Sequence, residues 1–319
     1  MNEVLIRAEG LKKYFKTYAG LLHAVDNVSL EIPRGRTLGV VGESGCGKST
    51  LGRLLLRLIE PTGGRVFFKD ENILEYDRRR MIDMRRQMQI IFQDPYSSLN
   101  PRLSVSELIA EPLSIHRAYA TRAERNDRIN HLMEIVGLAD RLVNAYPHEL
   151  DGGRRQRVGI ARALALNPEF IVCDEPVSAL DVSIQAQILN LMMDLQEELG
   201  LTFLFITHDL SVVKHISQDI MVMYLGQCIE KAPSEELFAN PLHPYTRALL
   251  ASIPVPNFKA RQMKTEPIKG EISSPVNPAP GCRFAPRCPL ARPVCREEVV
   301  FREWSPGHFC ACALLDKTS

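Results

Sequence analysis

No stretch of this chain is apolar for the about 18 residues that a membrane span requires, so the chain is not expected to cross a bilayer. Its start, MNEVLIRAEG, lacks both the basic head and the apolar block of a secretion signal. Charge of one sign is also missing. The 39 Lys and Arg balance 38 Asp and Glu to a net +1, which excludes wholesale attraction to nucleic acid or to an anionic lipid surface. Internal repeats and low-complexity tracts are absent. At 319 residues, 45% hydrophobic and 24% charged, the chain has the balance of an ordinary globular protein with one large domain or two smaller ones. These absences predict a chain that stays in the cytoplasm, where disulfides are rare. The 8 cysteines gain meaning from that. Cys46, Cys173 and Cys228 are scattered, whereas five crowd into 282–312. In a reducing compartment such a cluster is a metal candidate before it is a disulfide framework.

The pattern of apolar residues predicts an α/β protein. Val4 and Ile6 alternate with polar neighbours, VSLEI (28–32) does the same, and TLGVVG (37–42) is a continuous apolar run ending at glycine. KSTLGRLLLRLI (48–59) has helical spacing, and VFF (66–68) and MQIIF (88–92) read as short strands. Residues 105–115, 121–137 and 154–166 predict helices with no strand between them. Strand signals return at FIVCD (170–174), TFLFIT (202–207) and IMVMYL (220–225), around a helical stretch at 184–199. Buried strands alternating with helices imply a parallel sheet covered on both faces, here interrupted by a helical insertion. The basic run RRRMIDMRRQ (78–87) has no interleaved aromatics and reads as a solvated face rather than a nucleic-acid surface. Eight prolines between 254 and 289 predict a turn-rich appendix rather than a second packed core.

GESGCGKS (42–49) fits G-x-x-x-x-G-K-[ST] and sits between an apolar strand and a helix, where a phosphate cradle needs to be. Gly42, Gly45 and Gly47 let backbone N–H groups turn inward, and Ser44 and Cys46 fill free positions, Cys46 as an ordinary loop residue rather than a nucleophile. The helix N-terminus opened by Lys48, Ser49 and Thr50 adds a partial positive charge. Lys48 would reach the terminal phosphates, and the Ser49 hydroxyl would hold Mg²⁺.

FIVCDEP (170–176) delivers two acids at a strand end. Asp174 could hold the water shell of magnesium, and Glu175 is the candidate to orient or deprotonate an attacking water. TFLFITHD (202–209) repeats the arrangement, with His208 as a candidate γ-phosphate sensor. Gln93 follows MQIIF and could touch magnesium or the water.

Together these residues resemble the nucleotide-binding subunit of an ABC transporter over roughly residues 4–235. GESGCGKST resembles Walker A, and FIVCDEP resembles Walker B with its catalytic glutamate. Gln93 takes the Q-loop position, SALD (178–181) with Asp181 the D-loop, and His208 the switch-histidine position. LDGGRRQR (150–157), containing Asp151, Gly152 and Gly153, replaces the signature LSGGQ. Tyr14 or Phe15 matches the aromatic that stacks on adenine; by spacing after LKK, Phe15 is preferred. The resemblance implies a RecA-like parallel-sheet core, an antiparallel β subdomain and a helical subdomain at about 94–165, all within an ATPase domain at 1–240. A loop-rich extension follows at 241–319. It also implies that two such subunits close head to tail over two ATP molecules.

STLGRLLLRL, QDPYSSLNPR, EPVSALDVSIQAQILNLMMDLQ and HPYTRALLASIP are similar to the dipeptide/oligopeptide permease ATPases, particularly the F-type subunit. The implied activity is ATP hydrolysis driving uptake of dipeptides or short oligopeptides. The implied partners are a second ABC ATPase subunit, identical or paralogous, two transmembrane permease subunits and an extracytoplasmic peptide-binding protein, with the chain peripheral on the cytoplasmic face of the inner membrane. No nucleic-acid partner is implied. An importer for nickel or another small solute, a soluble ABC ATPase and a non-hydrolysing scaffold stay open as alternatives.

The last five cysteines read C-x5-C-x6-C-x14-C-x-C, which is not a usual zinc-finger spacing and suits a loop-rich wrap around an iron–sulfur cluster. Relatives with this tail resemble [4Fe–4S] carriers, which implies Cys282, Cys288, Cys295 and Cys312 as ligands and Cys310 as an extra sulfur. Zinc and unligated thiols remain the alternatives. Asp151 stands where the family has serine. It either caps a helix, as serine would, or weakens the ATP site that this signature completes.

Overall fold

The computed structural model describes residues 3–253 and 274–315. Alternation governs its opening. β1 (Val4–Thr17) buries Leu5, Ile6, Ala8 and Leu11, and β2 (Gly20–Pro33) buries Val28, Leu30 and Ile32 at every second position. Both strands run 14 residues, longer than the short strands expected, because polar residues on the outer face continue the pairing beyond the apolar stretch. β3 (Thr37–Val41) is buried throughout and feeds the glycine-rich turn into α1 (Lys48–Leu55). That helix stops short of the expected Ile59, since Leu56 caps it and Arg57 adopts a positive φ.

β4 (Gly63–Phe68) and β5 (Glu71–Asn72) follow. RRRMIDMRRQ is a helix, α2 (Arg78–Gln87), N-capped by Asp77. Its arginines are solvated as expected, but Met81 and Met84 form a buried seam. After β6 (Met88–Ile91) come α3 (Val105–Ile115), α4 (Arg122–Ile135) and α5 (Gly152–Leu164). Reciprocal capping boxes start α3 at Ser104/Glu107 and α4 at Thr121/Glu124. The chain continues through β7 (Phe170–Asp174), α6 (Val182–Leu199), β8 (Thr202–Thr207), α7 (Leu210–Ile216), β9 (Asp219–Tyr224) and β10 (Gln227–Pro233). It ends with α8 (Ser234–Ala239), α9 (Pro244–Ala251), β11 (Arg302–Ser305) and β12 (His308–Cys310).

These elements form two compact units. One holds Asn72–Ile206 with Ile32–Arg36 and the N-terminal residues through Leu5. Its parallel strands run β6-β7-β8, with Ile91 opposite Cys173 and Asp174 opposite Ile206. Between β6 and β7 lies the expected insertion, built of α3, α4 and α5. The other unit holds Ile6–Glu31, Thr37–Glu71 and the described residues from Thr207 onward. It contains the antiparallel order β2-β1-β4-β5 and the run β11-β12-β10-β9-β3, in which only β3 and β9 are parallel.

The C-terminal appendix is therefore not turns alone. Its β12 joins the edge of β10, with Glu230 opposite Cys310. The Glu230 carboxylate is fully buried there. It accepts the N–H groups of Leu242 at 2.7 Å and His243 at 2.9 Å, and meets His308 Nε2 at 2.8 Å. A buried carboxylate is tolerated only when its oxygens are satisfied in this way.

Candidate functional site

The phosphate cradle takes its shape from β3 and α1. Gly42, with φ +154°, and Gly47, with φ +105°, hold conformations that side chains rarely adopt. A Cβ would drive into the carbonyl oxygen of Met223 at the first and of Ala24 at the second. Lys48 is buried, and its Nζ donates to the carbonyls of Gly42 at 2.7 Å and Glu43 at 3.0 Å. The turn thus fixes its own cation. Gly45 also has a positive φ, Ser44 is exposed, and Ser49 and Thr50 begin α1. The Cys46 thiol is buried 3.8 Å from Lys48 Nζ. Burial pushes its pKa up despite the lysine, consistent with a packing residue rather than a nucleophile.

Tyr14 and Phe15 point to opposite faces of β1, as neighbours on a strand must. The Tyr14 ring stacks on His23 at 4.0 Å, and its hydroxyl donates to Asp26. Burial, followed by the bond to Asp26, pushes this phenol up to about 12. Asp26 also receives the Arg283 guanidinium. Burial raises the Asp26 carboxyl, but its hydrogen bonds from Tyr14 and His23 outweigh that and leave it below the usual range. Phe15 is partly exposed, with Lys13 Nζ 5.0 Å from its ring centroid. In the same unit, His208 is exposed between β8 and α7, whose N-cap is Asp209.

The other unit carries the acids. Every residue of β7 is buried, so Asp174 arrives at its end buried as well. Glu175 departs from the strand at φ +49°, a left-handed conformation that a glutamate adopts at an energetic cost. Its N–H still donates to Ile206 O at 2.9 Å, so the kink is anchored to β8. The Glu175 carboxylate accepts a hydrogen bond from Gln93 Nε2 at 2.8 Å. Two candidates chosen separately from the sequence are therefore direct partners. Asp181 begins α6 after the SALD turn.

Asp151 is the N-cap of α5, and its carboxylate accepts the Arg154 N–H at 2.8 Å. Arg154 Nε lies 3.5 Å from the same carboxylate, so this arginine supplies the compensating charge. Arg155 does not share that task. Its guanidinium donates to the carbonyls of Pro147 and Leu150 and lies over Tyr96. Arg162, which the sequence did not single out, donates to Ser98 O at 2.6 Å. Two arginines of α5 thereby hold the DPYSSLNP segment after Gln93. Gly152 and Gly153 serve close packing: a Cβ would sit 3.1 Å from Leu180 Cδ2 at the first and 2.7 Å from Ile184 Cγ2 at the second.

In the cysteine region the Cys295 sulfur accepts the Arg292 N–H at 3.5 Å. Burial pushes the Cys282 thiol up to about 11. Among the described residues, which include Cys282, Cys288, Cys295, Cys310 and Cys312, no three His, Cys, Asp or Glu side chains converge closely enough to hold a metal ion, so the ligand set implied by the resemblance is not assembled here. Pro254, Pro256 and Pro267 of the expected proline-rich segment lie outside the described residues.

A glycine cradle that binds its own lysine, opening a helix after a buried parallel strand, defines a P-loop nucleotide-binding protein. The family model for the ABC transporter matches residues 25–178, and that for the oligopeptide/dipeptide transporter C-terminal region matches residues 229–295. The oligopeptide transport ATP-binding protein AppF of Bacillus subtilis is 51% identical over 98% of this chain and 98% of its own length. The dipeptide transport ATP-binding protein DppF of Haemophilus influenzae is 49% identical over 99% of this chain and 98% of its own. Among solved structures, the ATP-binding cassette MJ0796, a post-hydrolysis dimer bound to ADP and Pi, is 31% identical with a TM-score of 0.65. It covers 72% of this chain and 98% of that one. CbiO1 from Clostridium perfringens, part of the ABC transporter complex cbiONQ, is 28% identical with a TM-score of 0.66, covering 75% and 92%. The chain belongs to the ABC transporter ATP-binding family and is an ATP hydrolase. Among the described residues no helix is long and apolar enough to cross a membrane.

Proposed function

We propose that this chain is the ATP-hydrolysing subunit of an importer that takes up dipeptides or short oligopeptides, working at the cytoplasmic face of the inner membrane. The observation that carries the reading is the end-to-end similarity to peptide-transport ATP-binding proteins, which extends through the C-terminal region. Its partners are two permease subunits, an extracytoplasmic peptide-binding protein and a second ATPase, which is a non-identical paralogue. The chain divides into a cassette at 1–240 and an extension at 241–319.

The residue roles follow from chemistry. Gly42, Ser44, Gly45, Cys46, Gly47 and Thr50 line the phosphates with backbone and hydroxyl donors, and Lys48 supplies positive charge to the terminal phosphates. Phe15, partly exposed, offers its ring to adenine, Tyr14 being engaged with His23. Ser49 and Gln93 would hold magnesium, with Asp174 on its water shell, and the ion would supply charge neutralisation at the transferring phosphoryl group. Glu175 accepts a proton from the attacking water, and the Gln93 amide orients its carboxylate. His208 donates to the γ-phosphate. Asp151, Gly152, Gly153 and Asp181 serve the ATP held by the partner ATPase.

The test is the purified complex of this chain with its permeases and second ATPase in lipid. Binding protein loaded with a dipeptide should stimulate ATPase activity and drive uptake. The Glu175→Gln variant should bind ATP and lose turnover by about 10²–10⁴-fold, the range for removing a general base. Stimulation by nickel alone, or near-normal turnover of the variant, would overturn the corresponding part.

We also infer that Cys282, Cys288, Cys295 and Cys312 hold a [4Fe–4S] cluster. The support is the donor set: four cysteine thiols within the C-terminal extension, of which Cys295 accepts the Arg292 N–H, and which a cluster would have to draw together. When bound, the cluster supplies a cross-link between loops that carry little regular structure. Anaerobically purified protein should be brown and contain iron and acid-labile sulfide. A colourless, iron-free preparation would sink the inference.

A further inference from the structure

Glu43 is an odd residue for a phosphate cradle. It occupies the first free position of GESGCGKS, and its carboxylate would repel a triphosphate. The structure binds Glu43 at every polar group. Its N–H donates to the Tyr245 hydroxyl at 2.9 Å, and its carbonyl accepts from Lys48 Nζ at 3.0 Å. Its carboxylate takes both terminal nitrogens of Arg287, at 2.7 and 3.0 Å. Tyr245 is on α9, and Arg287 lies 244 positions further along the chain than Glu43.

The guanidinium is itself held. Arg287 is 7% exposed at its side chain, and Nη1 also reaches the Tyr224 hydroxyl at 3.3 Å. Tyr224, Tyr245 and Phe284 form an aromatic cluster with centroids 4.8–5.4 Å apart. Such a part-buried, two-bond ion pair fixes direction as well as charge. The Glu43 carbonyl that Arg287 and Tyr245 immobilise is the one that aims Lys48.

We propose that Arg287, supplied by the C-terminal extension, is a positioning residue for ATP binding: it neutralises the Glu43 carboxylate and, with Tyr245, holds the turn so that Lys48 faces the phosphates. The proposal rests on the assignment of ATP hydrolysis to this chain. Arg287 touches no substrate and acts through Glu43, so its removal should weaken nucleotide binding and leave the chemical step intact.

The experiment uses the assembled complex and measures KM for ATP, kcat, and the Kd for ADP by calorimetry. Robust hydrolysis by the wild-type complex tests the assignment of activity independently of Arg287. Arg287→Ala should raise KM and the ADP Kd about tenfold, with kcat within about twofold, the signature of lost uniform binding. Adding Glu43→Gln to Arg287→Ala should bring KM back to within about threefold of wild type, because no unpaired carboxylate remains. A purely structural arginine would not be rescued by removing a second contact. Arg287→Lys, which keeps charge and loses the fork, should fall between the two. If Arg287→Ala does not assemble, the Arg287→Met/Glu43→Gln pair carries the test by the same KM. An unchanged KM in Arg287→Ala, or a KM equally raised in the double variant, overturns the proposal.

Discussion

Two glycine-bearing turns open helices in this molecule, and they use glycine for different reasons. In GESGCG the glycines bend the backbone: Gly42 and Gly47 have positive φ, and both abut carbonyl oxygens that cannot yield. In LDGGRRQR the glycines are the first residues of α5, and what presses on them is the ends of Leu180 and Ile184. The first turn is held by a buried lysine, the second by an exposed aspartate cap. The first helix has no side-chain cap, whereas the second spends an N-terminal N–H on Asp151.

Gly47→Ala should have the largest effect. The methyl group collides with backbone, so nucleotide affinity should drop by at least about tenfold, while a mobile side chain would have moved aside. Retained affinity by calorimetry would show that the turn tolerates a shift. Gly153→Ala should have an intermediate effect. Its new Cβ meets the end of Ile184, and overpacking of this kind costs about 1–3 kcal/mol, read as a lower melting temperature with nucleotide affinity at the cradle unchanged. Asp151→Ser should alter stability least, by under about 0.5 kcal/mol, because the two residues cap equally well. Turnover of the complex should rise, since serine can donate to a γ-phosphate where an ionised carboxylate only accepts and repels. Unchanged turnover would assign Asp151 to capping alone.

What was legible in the sequence was local. GESGCGKS, FIVCDEP, LDGGRRQR and THD each carry their chemistry within a few residues, next to a strand or helix whose apolar period is strong. The helical insertion was legible for the same reason, with α3 at its expected bounds. Four kinds of feature were hidden. α2 was obscured because five arginines leave only two methionines to mark its buried seam. β11 and β12 are short, and β11 buries none of its residues, so no alternation announced them. The contacts of Gln93 with Glu175 and Arg287 with Glu43 join residues 82 and 244 positions apart. A single glutamine or arginine in a loop gives no sign of such a partner. The strained φ of Glu175 was equally invisible, since nothing in FIVCDEP distinguishes a straight strand end from a left-handed one.

The buried Glu230 sets a limit on how this chain can be recombined. Its carboxylate lies on β10, before residue 240, while Leu242, His243 and His308, which satisfy it, come after. A crossover that joined this cassette to a foreign tail lacking those donors would strand a fully buried negative charge, at a penalty of several kcal/mol. Chimeras among relatives should fail when a junction between residues 230 and 308 brings in a tail with no donor at the position of His308, and succeed when the tail keeps one.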